Sequence, residues 1–333
     1  MAESVVAAAL TSPGCIEQAF REVRPPREGE VELRVVCVGV CGSDISAYHG
    51  ASHGVQYPIV LGHEFSAQIE RLGSGVNELQ EGQWVTVAPL LPCGDCKFCN
   101  ANSEHLCEHR VIFGMHVDGA LRERLIMPAR TALPLPDTIT PQAGTIAEPL
   151  AVSIHAVRRV EGMVAGERVV ISGAGAIGLL IAQVLNTQGF PQIMLLDIDE
   201  ERLALAKDLG FGAIHPSRAQ PSSADLLFIA TGSPEAIHNT PELLAPRGFA
   251  VVVGILNEVL LDWTALLMKE AAITTSRYFT MQDFEDGLSL LSTGAISTAS
   301  LITDTAQFSD LFIDTGQRVM DRAKQAVRLL IEM

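Results

Sequence analysis

The chain has 333 residues, with 23 Lys+Arg set against 39 Asp+Glu and a formal net charge of -16. That balance excludes a nucleic-acid binder, which must neutralise phosphates with clustered cations, and a protein held on an anionic membrane surface. The length suggests about two domains and buries roughly three quarters of the surface the unfolded chain exposes, so disulfide staples are unnecessary. No run of about 18 apolar residues is present, and no spanning helix is expected. The apolar stretch Ser4–Leu10 has no basic residue before it, so we expect no signal peptide and a cytoplasmic protein. Of seven cysteines, four crowd between Cys93 and Cys107, which reads as metal binding rather than disulfides.

The first 150 residues carry short apolar runs between turns. Val31–Val38, Gly82–Ala88 and Leu121–Met127 read as strands of a mostly β region, and a helix is expected over Ala147–Val160. The pattern then changes. Strands at Arg168–Ser172, Gln192–Leu196, Ala224–Ala230 and Phe249–Val253 alternate with helices at Ile177–Thr187, Glu200–Leu209 and Pro234–Leu244. Such alternation implies a doubly wound parallel sheet. A helix over Met281–Ser292 and a short helix with a closing strand over Val319–Ile331 complete the expected elements.

Gly173-Ala-Gly175-Ala176-Ile177-Gly178 follows a strand and opens a helix. In that setting the first glycine permits the tight turn, the second lets backbone approach a pyrophosphate, and the third allows close helix–strand packing. Asp197 ends the next strand, where a carboxylate accepts both ribose hydroxyls and repels a 2′-phosphate, so NAD is expected over NADP. Arg202, one helical turn on, either weakens that preference or touches the ribose from the side.

Two further constellations suit metal. Cys93-x2-Cys96-x2-Cys99-x7-Cys107 offers four thiolates for a closed tetrahedral zinc. An iron–sulfur run has a shorter final spacing followed by Pro, where this chain has Glu108. Cys41-Gly-Ser43-Asp44, Gly62-His63-Glu64 and Ala147-Glu148-Pro149 supply one Cys, one His and one or two carboxylates, a set able to hold zinc with one position open. Singly, each has a structural explanation: a core thiol, a hydrogen-bonded histidine, a helix N-terminal acid.

In this order, Cys41-Gly-Ser-Asp44, Gly62-His-Glu64, the four-cysteine lobe, Glu148-Pro-Leu150 and Gly173–Gly178 resemble the zinc-dependent medium-chain dehydrogenases over nearly the whole chain. Glu148–His155, Tyr57–Phe65 and Ala88–Cys93 resemble the polyol branch, with sorbitol and galactitol-1-phosphate dehydrogenases. His155–Arg159 and Thr275–Phe284 are also similar to galactonate-type sugar-acid oxidoreductases, and aminocyclitol dehydrogenases share two of the signatures. The resemblance implies a Rossmann domain over 148–280 and a GroES-like catalytic domain over 1–147 and 281–333. It implies catalytic zinc on Cys41 and His63 with Glu64 or Glu148, Asp44 orienting His63, and Ser43 bonding the substrate hydroxyl. Cofactor contacts would come from Gly173, Gly175, Ala176, Ile177, Gly178, Asp197, Arg202, Thr231, Gly254 and Ile255. The implied partners are a small polyol or sugar substrate, NAD, two zinc ions per chain, and further copies in a homodimer or homotetramer.

Three departures from the family pattern stand out. The relay histidine of sorbitol-type enzymes is Ser46 here, with His49 and His53 out of register. Residues 215–224 are short and hold two prolines where the family has a helix. The chain has four lysines, Lys97, Lys207, Lys269 and Lys324, none in a phosphate motif, which leaves Arg110 or Arg277 for a phosphorylated sugar. Alternatives to a polyol dehydrogenase are an aldonate or aminocyclitol dehydrogenase and a non-catalytic NAD-sensing relative.

Overall fold

A computed structural model of the chain describes residues 3–52, 54–162, 168–255 and 258–333; His53 lies outside them. The chain divides into two compact units, 1–148 with 301–333, and 149–300.

The first unit is mostly β, as its alternating valines and leucines require. Seven strands form one sheet. Its path runs Ala132–Pro134, Trp84–Val87, Glu64–Leu72, Glu30–Gly39, Leu329–Glu332 and Asp304–Gln307, and Arg124–Pro128 pairs alongside Glu30–Gly39. Glu3–Ser12 and Cys15–Val23 form a hairpin on which Ile59–Val60 pairs. The apolar stretch at Ser4–Leu10 is therefore a buried strand. Leu10, Leu33, Val38, Phe65, Ile69, Leu125 and Met127 build the core between these layers. The strand Glu30–Gly39 is central: Gly39 pairs with Glu64 on one side and Leu330 on the other. The last strand of the chain thus completes the sheet begun by the first 150 residues.

The second unit is a Rossmann sheet of six parallel strands, in the order Gly212–Ile214, Gln192–Leu196, Arg168–Ser172, Ala224–Ile229, Leu244–Val252 and Ala272–Thr275. The order reverses direction between Arg168–Ser172 and Ala224–Ile229, the switch point where such sheets bind ligands. Four strands were legible as apolar runs; Gly212–Ile214 and Ala272–Thr275 are too short to stand out. The strand expected from Phe249 begins at Leu244, and the helix expected over Pro234–Leu244 is two short helices, Pro234–His238 and Thr240–Leu243, the second holding Pro241. The shortened segment after Ile214 holds only a 3-10 turn, Pro216–Arg218.

The helix Met281–Ser292 packs within the second unit, so the chain re-enters the first unit near Leu301 rather than at 281. The reason is local. Gly287 lies against Leu150 and Ile154 of the helix Ala147–Arg158. Asp283, fully buried, caps its own helix by accepting from the Thr280 amide at 2.7 Å, faces His155 Nδ1 at 2.9 Å and pairs with Arg158, which also pairs with Asp286. Burial opposes ionisation of Asp283, but the His155 and Thr280 donors outweigh it and hold the carboxyl below its ordinary range. A depressed pKa contributes stability above the unfolded value that is lost as pH falls through the folded one. Asp283→Asn is expected to cost about 3–5 kcal/mol at neutral pH. Measured by denaturant unfolding, the difference from the parent chain should shrink only below about pH 4.

Candidate functional site

The strand Glu30–Gly39 ends at Val40, and Cys41 is the N-cap of the helix Gly42–Tyr48. Asp44, buried in that first turn, accepts from the Cys41 amide at 3.0 Å and from the Gly62 amide at 3.4 Å, and its Oδ1 lies 3.5 Å from His63 Nδ1. One carboxylate thus binds the backbone beside Cys41 and the ring of His63 into one frame. Gly62 has φ +94°, and a Cβ there would meet Val38 at 2.9 Å, so only glycine fits before the histidine. Behind it, Ala120 and Leu121 donate to the Gly62 and Leu61 carbonyls at 2.9 and 3.0 Å and hold the segment down.

The result is a cluster in which donor atoms of Cys41, His63 and Glu64 all lie within 4.8 Å of one another. Ser43 Oγ is 3.4 Å from His63 Nε2. Burial and the Glu64 carboxylate push the Cys41 thiol up. For His63, burial is outweighed by the Asp44 carboxylate and by Cys41, so its pKa rises well above the ordinary imidazole value. Glu148, in the first turn of the helix Ala147–Arg158, is outside the three-donor group, but its carboxyl is pushed up to about 8 by burial and by Glu64. A thiol and two acids crowded around one imidazole is a donor set that a divalent cation would relieve, and a triad of half-buried Cys41 with buried His63 and Glu64 fits a zinc site with one side open.

Arg328, absent from the sequence reading, completes this site. It is 3% exposed, sits 2.6 Å from Glu64 Oε2 and donates to the Thr145 carbonyl at 2.9 Å. Glu64 lies off the guanidinium N–H direction, so the contact is an ion pair rather than an aligned hydrogen bond. Gly39 makes room for it: a Cβ there would lie 2.0 Å from the guanidinium. The only signal in the sequence was an arginine directly before the closing apolar strand. Of the departures noted above, Ser46 Oγ donates to the Gly42 carbonyl within its own helix, and His49 caps that helix with its ring edge-on to Tyr48.

Cys93, Cys96, Cys99 and Cys107 converge in a second cluster, with Sγ separations of 3.5 Å for Cys96–Cys99 and 3.9 Å for Cys93–Cys99. Zinc–sulfur bonds of about 2.3 Å at tetrahedral angles require sulfurs about 3.8 Å apart. Backbone donors, that of Cys99 foremost, draw the Cys96 thiol down to about 6, toward the thiolate a metal needs. The cluster fits a structural zinc.

In the second unit, a crevice of about 520 Å³ opens at the carboxyl ends of the central strands, lined among others by Gly173, Asp197, Ile198, Ser217, Thr231 and Glu235. The helix Ala176–Thr187 starts at Gly175 with no side-chain cap, which leaves its first amides for an anion. Gly178 is obligatory, since a Cβ would meet the Gly173 carbonyl at 1.9 Å. Asp197 accepts from the Ala174 amide at 2.7 Å and the Asp199 amide at 3.0 Å, which aims its carboxylate at the glycine turn. An Arg202 nitrogen lies 4.0 Å from where a Gly175 Cβ would be. Ala176 and Ile177 form the first turn of the helix, half-buried. Gly254 packs on the Thr231 carbonyl, and Ile255 is exposed; neither lines this crevice.

The cations considered for a phosphate are engaged elsewhere. Lys269 donates to the carbonyls of Pro241, Glu242 and Leu244, Arg110 to that of Cys107, and Arg277 stacks on Tyr278.

Two zinc ions per chain are expected by elemental analysis. Cys41→Ser should reduce the count by one with the fold intact, and Cys99→Ser should remove the other. A count unaffected by Cys41→Ser would exclude the first cluster as a metal site.

Residues 27–137 match the alcohol dehydrogenase GroES-like domain, and 176–293 match the zinc-binding dehydrogenase model. L-galactonate-5-dehydrogenase of Escherichia coli K12 is 34% identical over 323 residues, covering 93% of this chain and 94% of the relative. L-idonate 5-dehydrogenase (NAD(P)(+)) of the same organism is 32% identical over 82% of this chain and 83% of its own length. The crystal structure of galactitol-1-phosphate dehydrogenase from Escherichia coli superposes with a TM-score of 0.86 at 28% identity, covering all of both chains. These matches show that the chain belongs to the zinc-dependent medium-chain dehydrogenases, an oxidoreductase family that uses a nicotinamide cofactor and includes polyol and aldonate dehydrogenases, and the two candidate metal clusters and the crevice at the glycine turn accord with it.

Proposed function

We propose that the protein oxidises a secondary alcohol of an open-chain sugar acid or sugar alcohol to the ketone, with NAD as hydride acceptor. The observation that carries this reading is the convergence of Cys41, His63 and Glu64, backed by similarity to L-galactonate and L-idonate dehydrogenases. When bound, zinc supplies the Lewis acidity that makes the alcohol proton easier to remove, and NAD accepts the hydride. The remaining work falls to the chain. Cys41, His63 and Glu64 would hold the metal, and Asp44 keeps the His63 ring in one orientation. Ser43 Oγ, beside His63, accepts a hydrogen bond from the substrate hydroxyl and passes its proton outward. Arg328 holds the Glu64 carboxylate in place. Burial and the neighbouring Glu64 raise the pKa of Glu148 above that of an ordinary carboxylic acid, and a bound cation would oppose that shift. Asp197 selects NAD through the ribose hydroxyls.

A galactitol-1-phosphate-like substrate is the second reading. It is favoured by the structural likeness and opposed by the engagement of Lys269, Arg110 and Arg277 with groups of the protein itself.

The test is a panel of aldonates, polyols and their phosphates, assayed with NAD and NADP. Turnover of an unphosphorylated member is expected, with kcat/KM at least about a thousandfold lower in Cys41→Ala, or about 4 kcal/mol of transition-state stabilisation. Asp197→Ala should raise the NADP-to-NAD preference at least about tenfold. Full activity in Cys41→Ala would end the zinc reading, and an unchanged cofactor ratio would end the role given to Asp197.

We also propose that two copies associate through one edge of the second unit. Ala272–Thr275 is an edge strand, and just before it Leu260, Trp263, Leu267 and Met268 are each at least two thirds exposed. An unpaired strand edge beside an apolar patch is self-complementary about a two-fold axis. Sedimentation should show a dimer or larger species, and Trp263→Glu with Leu267→Glu should shift it to monomer. A monomeric parent chain would refute the assignment.

A further inference from the structure

The connection from Ile214 to Ala224 leaves the edge strand Gly212–Ile214, passes over two strands and enters the fourth position of the sheet. A parallel crossover of this kind ordinarily runs through a helix that covers the sheet face. Here it is a strap over residues 215–223 with a single 3-10 turn, Pro216–Arg218. Ala219 packs onto the face beside Val170, Met194 and Ile214, and little else of the strap does. Where a helix would lie, the strap leaves a hollow on either side. One is the dinucleotide crevice, which Pro216 and Ser217 help to line. The other, about 510 Å³, runs toward the amino ends of the strands, and Arg218, Ala219 and Gln220 help to line it. Leu196 and Ala219 border both.

The second hollow has a distinct chemistry. Its walls are Phe190, Met194, Phe211 and Ile214, with Arg168 and Arg218 also lining it. Among the described residues no Asp or Glu lines it, although the chain carries a net charge of -16. Arg168 is turned to Asp225 at 2.7 Å. Arg218 is exposed and in no ion pair among the described residues, so its charge is available to a ligand. An anion elsewhere on so acidic a surface meets repulsion; here it meets a cation beside aromatic and aliphatic walls.

We propose that this hollow is a second ligand site, separate from the dinucleotide crevice, for a small molecule with an apolar body and a single negative charge. Its volume falls within the range of about 300–1,000 Å³ usual for small-molecule pockets. The apolar body lies along Met194 and Ile214, where the missing helix would have packed, and the acidic group meets Arg218. Since the strap borders both hollows, an occupant here stands one peptide bond from Ser217 in the crevice.

The test uses the zinc-loaded full chain and anilinonaphthalene sulfonate, an aromatic monoanion that fluoresces when shielded from water. Saturable binding is expected to persist under saturating NAD or AMP. Arg218→Glu and Gln192→Glu, both surface changes outside the catalytic and cofactor groups, should each raise the Kd at least about fivefold while kcat stays within about twofold. The neutral analogue N-phenylnaphthylamine should bind at least about tenfold more weakly. Loss of the signal on adding AMP would assign the probe to the crevice and overturn the proposal. An unchanged Kd in both variants, equal binding of the neutral analogue, or no saturable binding would each overturn it as well.

Discussion

Asp44 is the constraint around which the catalytic unit is arranged. Its carboxylate is almost wholly buried, a costly location unless every lone pair has a donor. The Cys41 amide, the Gly62 amide and His63 Nδ1 surround it. Cys41 follows the strand Glu30–Gly39 and His63 directly precedes the strand Glu64–Leu72, about twenty residues further on. The pairing of Gly39 with Glu64 brings the two segments side by side, and the Asp44 carboxylate ties the Cys41 amide to the His63 ring. An apolar residue at this position would leave the Cys41 and Gly62 amides and His63 Nδ1 without this acceptor.

The two metal clusters are built on opposite principles. The Cys41/His63/Glu64 cluster rests on a packed sheet, with Gly39, Glu64 and Leu330 in adjacent register and Arg328 buried beside them. Its geometry is imposed by the fold. The four-cysteine lobe has only two short 3-10 turns and a two-stranded pairing, and Cys93 at its start is exposed. There the sulfurs supply the organisation that a core supplies elsewhere. This difference explains why the lobe could be read from spacing alone, whereas the catalytic ligands needed three segments to be considered together.

Much of the architecture was visible in residue patterns. The strand at Arg168–Ser172, the glycine turn and the helix after it form one local unit whose signals lie within twenty residues, and each falls where the pattern puts it. What stayed hidden depends on distant pairing. Gly212–Ile214 and Ala272–Thr275 are strands because longer neighbours present edges to them, not because of their own composition. The return to the first unit was read twenty residues early, because the amphipathic helix Met281–Ser292 looks the same whichever unit it packs on; the Asp283 contacts decide. Arg328 eluded the reading because its meaning comes from the absence of a side chain at Gly39 on another strand.

The strand Leu329–Glu332 carries one further implication, for biosynthesis. The sheet beside Cys41 and Glu64 is left with an open edge, and Glu64 without its counter-charge, until residues 328–332 are delivered. By then the entire dinucleotide-binding unit has already been made. A chain ended before residue 328 would therefore keep the six-stranded parallel sheet of the second unit while lacking the strand that pairs with Glu30–Gly39 and the arginine beside Glu64.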